Sequence, residues 1–162
     1  MATNKKPRKK YRPKQVLQNP VGYVLEGLAP VASDPAFLTN IALRNSSAMA
    51  ALLQGHATKK DMDILIAMSN ITEALLRMGF GEDCANITVN GREALLGIIW
   101  RAVERLKFIP TGPEIKALNM LMELHDAQMA VITAQELDMA IARAQRHIRG
   151  GNYATLPPAT KP

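Results

Sequence analysis

The sequence lacks the features that mark several large classes of protein. Its single cysteine, Cys84, excludes a disulfide scaffold. Aromatic residues make up only 4% of the chain, and no window approaches the ~20 uninterrupted apolar residues of a membrane span. A secretory signal is not expected, because the basic N-terminus runs into Tyr11-Arg12-Pro13-Lys14 instead of an apolar segment. With 48% hydrophobic residues, the 162-residue chain is expected to be a soluble, cytoplasmic globular protein.

Motifs of catalysis and metal binding are missing as well. The chain has no HExxH, no CxxC, no phosphate-binding glycine loop and no nucleophile elbow. His125 falls on the apolar face of its predicted helix, near Leu118. That position is more typical of a core histidine held by one hydrogen bond than of a general base or metal ligand. We therefore expect a non-enzymatic protein without catalytic residues, metal or cofactor.

The net charge of +6 is concentrated at the N-terminus. Seven of the 20 basic residues lie in residues 1–14, which hold no acid. The other 13 face all 14 acidic residues, so residues 15–162 carry a net charge of −1. A block of like charges resists folding, and its Lys and Arg side chains release counterions when they contact phosphates. We expect this basic arm to bind nucleic acid or another acidic surface, with Tyr11 able to stack on a base or contact a partner. The alternative is a tail that only makes the protein more soluble. The seven basic side chains of the arm are Lys5, Lys6, Arg8, Lys9, Lys10, Arg12 and Lys14.

A second basic cluster ends the last predicted helix. Cations near a helix C-terminus are favoured by the helix dipole, which alone would explain them. Arg146 and Arg149 also lie away from the apolar stripe of that helix and are predicted to face solvent. If the chain termini are close, the cluster extends the basic arm into one nucleic-acid-binding surface. The cluster consists of Arg143, Arg146, His147 and Arg149, and its three arginines are the candidate binding residues.

The remaining pattern predicts an all-α fold, a compact bundle of four or five helices. Capping residues followed by helical apolar stripes mark the helix starts, and glycines mark several ends. The start signals are Asp34 with Pro35, Thr58, Asn90 with Glu93, Thr111 with Glu114, and Thr133 with Glu136. The capping box formed by Asn90 and Glu93 predicts a helix start there, after a loop over residues 79–91 in which Ile87-Thr88-Val89 is extended. The polar stretch Asn45-Ser46-Ser47 is a candidate break in the first helix.

Trp100, the only tryptophan, lies beside Leu96 and off the main apolar stripe of its helix. The apolar arc of that helix is therefore wider than the stripe needed to pack against one neighbouring helix. Packing on two sides at the centre of the bundle is the favoured interpretation. Contact with a second subunit or another partner is the alternative, because tryptophan is enriched in interface hot spots.

These observations divide the chain into four parts. Residues 1–14 form the basic arm, and residues 15–33 form an extended segment with enough apolar residues to pack on the domain. Residues 34–150 form the helical bundle, and residues 151–162 form a Pro-rich tail.

Two stretches of the chain carry a resemblance. The first is Lys9-Lys10-Tyr11-Arg12-Pro13-Lys14 with Gly22-Tyr23-Val24-Leu25. The second is Gly112-Pro113-Glu114-Ile115-Lys116-Ala117-Leu118, followed by Glu123-Leu124-His125-Asp126. Both resemble small uncharacterised proteins carried by bacterial phages and plasmids, over most of the chain. The resemblance brings no catalytic residues; it implies a bacterial host cytoplasm and a protein that binds a host macromolecule.

Two functions are compatible with this sequence. The first is a helical binding protein whose basic arm contacts nucleic acid or a nucleoprotein complex. The alternative is a phage-type effector, such as an anti-CRISPR-like inhibitor, that blocks a host enzyme or defence complex through its helical surface, either alone or as a homodimer. Nuclease treatment distinguishes the two functions. In the first, co-purification of the protein with its partner depends on nucleic acid and is lost after nuclease treatment. In the second, it survives the treatment.

Overall fold

Local capping sets where most of the helices begin. In the computed structural model, which describes residues 27–150, the Asp34 side chain accepts a hydrogen bond from the backbone N–H of Phe37. Three further helices start with capping boxes at Thr58, Thr111 and Thr133. The five helices are α1 (Pro35–Leu53), α2 (Lys59–Leu76), α3 (Ala85–Arg105), α4 (Gly112–Val131) and α5 (Ala134–Arg149). The predicted all-α bundle is confirmed.

The start of α3 differs from the prediction. The helix begins at Ala85, directly after a 3-10 turn over Glu82–Cys84, and the predicted loop to Gly91 is wrong. Gly91 lies inside the helix, at a point where α3 and α4 approach closely. A Cβ at this glycine would stand 2.7 Å from Cδ2 of Leu121, so a larger residue would force the buried Leu121 side chain to shift.

The candidate break in α1 is also absent. The helix runs continuously to Leu53, and Asn45 of the polar stretch is buried against the bundle. Tertiary packing thus overrides the weak helix propensity of this stretch.

The central helix is α2, which packs against all four other helices. Ten of its 18 residues are buried, and they lie around most of the helix circumference. Towards its start, α2 forms one apolar cluster with α1, α3 and α4. Towards its end, a second cluster joins Ala74 and Leu75 to Leu137, Ala140 and Ala144 of α5. Because α2 occupies the centre, α3 lies at the edge of the bundle and has an outer face.

Backbone hydrogen bonds join the first described residues to the connection between α4 and α5. The backbone N–H of Val31 donates to the Ile132 carbonyl at 2.9 Å, and the N–H of Ala134 donates to the Ala29 carbonyl at 3.0 Å. Residue 27 therefore lies at the N-terminal end of α5. The basic arm, the first part of the extended segment and the C-terminal tail lie outside the described residues.

Candidate nucleic-acid interface

The second half of α5 presents three arginines to solvent. Its buried face packs on α2, and Arg143, Arg146 and Arg149 are all exposed, as the helical periodicity predicts for Arg146 and Arg149. Acidic and basic residues are segregated along this helix, with Glu136 in the first turn and the bases in the last. The helix dipole favours this order, which explains why the charges lie at these ends.

A cavity of about 320 Å³ lies between α2 and α5, beside these arginines. Its lining includes Arg143, Arg146 and the half-buried His147 from α5, and Ala74 and Arg77 from the end of α2. Sequence reasoning missed Arg77, which is separated from Arg143 by many residues and joins it only through the packing of α2 on α5. The sequence signal that could have found Arg77 is its position just after the last residue of α2, since cations are favoured at helix C-termini.

Glu73 holds Arg77 in position. One of its carboxylate oxygens lies 2.6 Å from Nη2 of Arg77, and the other lies 3.2 Å from Nη1 of Arg92 on α3. A single carboxylate is thus shared by two guanidinium groups. The cavity wall therefore keeps a net positive charge, because Arg143 and Arg146 add to it.

The other predicted binding residues, Lys5 to Lys14 and Tyr11, lie outside the described residues. Their connection to the cluster on α5 depends on chain length. Residue 27 lies beside Gln135, and the 16 residues of α5 put the helix C-terminus about 24 Å away. The 13 residue-to-residue steps from Lys14 to Gly27 span at most about 45 Å. The arm is therefore long enough to reach the far end of α5.

His125 is a core residue, as the sequence predicts. It is 2% exposed, and its Nδ1 lies 3.1 Å from Oγ1 of Thr72 on α2. The Thr72 hydroxyl donates to the Met68 carbonyl at 2.9 Å, which leaves its oxygen to accept a hydrogen bond from the Nδ1–H of His125. Burial lowers the pKa of His125 to about 4, so the ring is neutral at pH 7. Asp126 is exposed and forms no dyad with it.

Trp100 corrects another expectation. The buried side of α3, which includes Leu95, Ile98 and Ile99, packs against α2 and α4, and the indole points the opposite way. Trp100 is 64% exposed, so the interpretation of two-sided packing is wrong. Contact with a second subunit or a partner stays a prediction.

The described residues offer little else that is chemically distinctive. Residues 27–150 contain no group of three His, Cys, Asp or Glu side chains arranged to hold a metal ion. Over the same residues, no helix has both the length and the apolar character that crossing a membrane requires. Comparison with known proteins finds no matching family model, no similar curated protein and no similar solved structure. The function must therefore be argued from the surface just described.

Proposed function

We propose that the protein is a non-enzymatic nucleic-acid-binding protein. In this proposal, the cationic surface formed by Arg77, Arg143, Arg146 and Arg149 contacts the phosphate backbone together with the basic arm. The observation that carries it is the convergence of arginines from α2 and α5 around one cavity, with those of α5 exposed. The helix dipole explains cations at each helix end, but it does not require two helix ends to share a cavity.

The chemistry of this surface suits phosphate. A guanidinium group presents planar N–H donors that match phosphate oxygens in pairs, and it stays charged at all physiological pH values. Glu73 orients Arg77, which reduces the conformational entropy that binding would otherwise remove. Contacts to the backbone carry no sequence information, so we expect binding with weak sequence preference.

The test is oligonucleotide binding across a salt series. The full chain should lose affinity steeply with salt, and the double variant R143A/R146A should reduce the slope of log K against log salt by about 2. Deleting residues 1–14 should remove most of the affinity. The matched control is K59A/K60A, which removes two exposed positive charges from the opposite end of α2.

Two results contradict the proposal. If R143A/R146A and K59A/K60A weaken binding equally, the effect reflects net charge and not this surface. If binding is insensitive to salt, phosphate contacts do not provide it. The phage-type effector stays an alternative prediction, and capture of a host protein that survives nuclease treatment would favour it over nucleic-acid binding.

A further inference from the structure

The arginines of α2 and α5 line a concave site and not a flat surface. The cavity of about 320 Å³ has the volume of the smaller pockets that hold small ligands. An internal phosphate of a nucleic acid carries a sugar on each side, so it is most easily contacted across an open surface. A phosphate at the end of a strand has a single ester link and can enter a cavity with its other oxygens first. The shape of the site therefore favours a terminal phosphate.

Hydrogen-bond donors on the cavity wall are available to such a group. Within residues 27–150, the guanidinium of Arg143 has no hydrogen-bond or ion-pair partner. The guanidinium of Arg146 bonds through Nε to the Ala142 carbonyl at 3.3 Å, and its two Nη groups have no partner over the same residues. Each of these guanidinium groups can bond two oxygens of one phosphate in a fork geometry. A terminal phosphate has three unesterified oxygens to accept these bonds, whereas an internal phosphate has two.

The charge of the cavity also matches a terminal phosphate. Arg77, Arg143 and Arg146 line it, and Glu73 bonds Arg77 while it is shared with Arg92. With Glu73 counted and Arg92 left out, the formal charge of this group is +2. A phosphomonoester carries a charge of about −2 at pH 7, and an internal phosphate carries half of that. The lining contributed by residues 27–150 contains no acid that would repel the dianion.

We propose that the cavity binds the terminal phosphomonoester of a nucleic-acid strand. This inference rests on the proposed function and adds that the protein recognises strand ends. Arg143 and Arg146 bond the phosphate oxygens, and Arg77, held by Glu73, contributes its charge from the opposite wall. The basic arm, which is long enough to reach this end of α5, contacts internal phosphates of the same strand. A free nucleoside monophosphate would leave the arm without a contact, so a strand is the favoured ligand.

Competition binding with three forms of one single-stranded oligonucleotide tests the proposal. The full chain is bound to a fluorescent strand, which is displaced by unlabelled strands with a 5′ phosphate, a 3′ phosphate or hydroxyl groups at both ends. At least one phosphorylated form should bind about tenfold more tightly than the hydroxyl form, the effect of one charge-assisted hydrogen bond. The charge control is the hydroxyl form lengthened by one nucleotide. It gains an internal phosphate and should bind almost as weakly as the original.

Two double variants assign the preference to the cavity. R143A/R146A should abolish it, so that phosphorylated and hydroxyl strands bind with equal affinity. K59A/K60A is the matched control, because it removes two exposed positive charges from the other end of α2 and should keep the preference. All four side chains are exposed, so a loss of core packing does not account for a difference between the variants.

The outcomes separate this inference from the proposed function. Equal affinity for phosphorylated and hydroxyl ends, with steep salt dependence, overturns the inference and leaves the proposed function standing. Absence of binding to every strand overturns both. The inference is also wrong if K59A/K60A removes the preference as R143A/R146A does. It is wrong as well if a nucleoside 5′-monophosphate or a phosphoserine peptide competes as strongly as the phosphorylated strand, because the cavity would then bind phosphate without a strand.

Discussion

Burial of His125 makes the stability of the fold depend on pH in a defined window. The ring is 2% exposed, and burial lowers its pKa from 6.5 to about 4. The unfolded chain therefore binds a proton at a higher pH than the folded chain does. Stability contributed by the neutral ring is fully present above pH 6.5 and is lost progressively as the pH falls from 6.5 towards 4.

The magnitude follows from the two pKa values. The gap between 6.5 and about 4 corresponds to about 3 kcal/mol once both states are protonated. At pH 5 about 2 kcal/mol of this is lost relative to pH 7.5. With a urea m-value of about 2 kcal/mol per M, the midpoint of unfolding should fall by about 1 M.

The assay is urea denaturation followed by far-UV circular dichroism at several pH values from 7.5 to 5. Hydrogen bonds from Thr58 lower the carboxyl pKa of Asp61. The carboxyl pKa of Glu114 is lowered, although burial opposes this, by hydrogen bonds from Arg101 and Thr111. Burial raises the carboxyl pKa of Asp126, so His125 is isolated by comparison with a variant that carries the same carboxyl groups. H125N is the matched variant, because its amide N–H can replace the Nδ1–H donor to Thr72 without titrating. If H125N loses stability with pH as the parent does, or if the parent is equally stable at pH 7.5 and 5, the reasoning is refuted.

Two substitutions test the packing and capping of the helices by the same denaturation assay at pH 7.5. G91A should lower the free energy of unfolding by about 1 to 3 kcal/mol, because its methyl group would meet Leu121 at 2.7 Å. The control is G112A, whose methyl group meets open space. Equal effects of the two substitutions would contradict the close approach of α3 and α4 at Gly91. T133A should cost about 1 kcal/mol, because it removes the acceptor for the backbone N–H of Glu136; T133S should retain most of the stability, and a neutral T133A would contradict the cap.

Local sequence signals predicted most of the fold. Thr58, Thr111 and Thr133 each satisfy a helix N-terminus with an acid three residues later, so the signal needs nothing beyond one turn. The same rule failed at Asn90, which lies inside α3 next to the point where Gly91 packs against Leu121 of α4. That contact joins two helices, and no local pattern encodes it.

The surfaces were predictable to different degrees. Helical periodicity placed Arg146 and Arg149 on the solvent side of α5, since the direction of a side chain depends on its own helix. It could not find Arg77, which reaches the cavity only because α2 packs on α5. For Trp100, periodicity showed a second apolar face on α3 but not whether that face is buried, because burial depends on which helix is central.

The distribution of charge matters more for phosphate binding than the net charge does. Residues 15–162 carry a net charge of −1, which suggests a body indifferent to nucleic acid. On α5, however, Glu136 lies about 15 Å along the axis from Arg146, by the helical rise of 1.5 Å per residue. The Debye length at physiological salt is about 8 Å, so Glu136 scarcely weakens the field at Arg146. The exposed Asp138, about 7.5 Å along the axis from Arg143 by the same rise, weakens the field only at that arginine. A phosphate at the cavity therefore meets Arg143 and Arg146 as a local cationic surface on a nearly neutral domain.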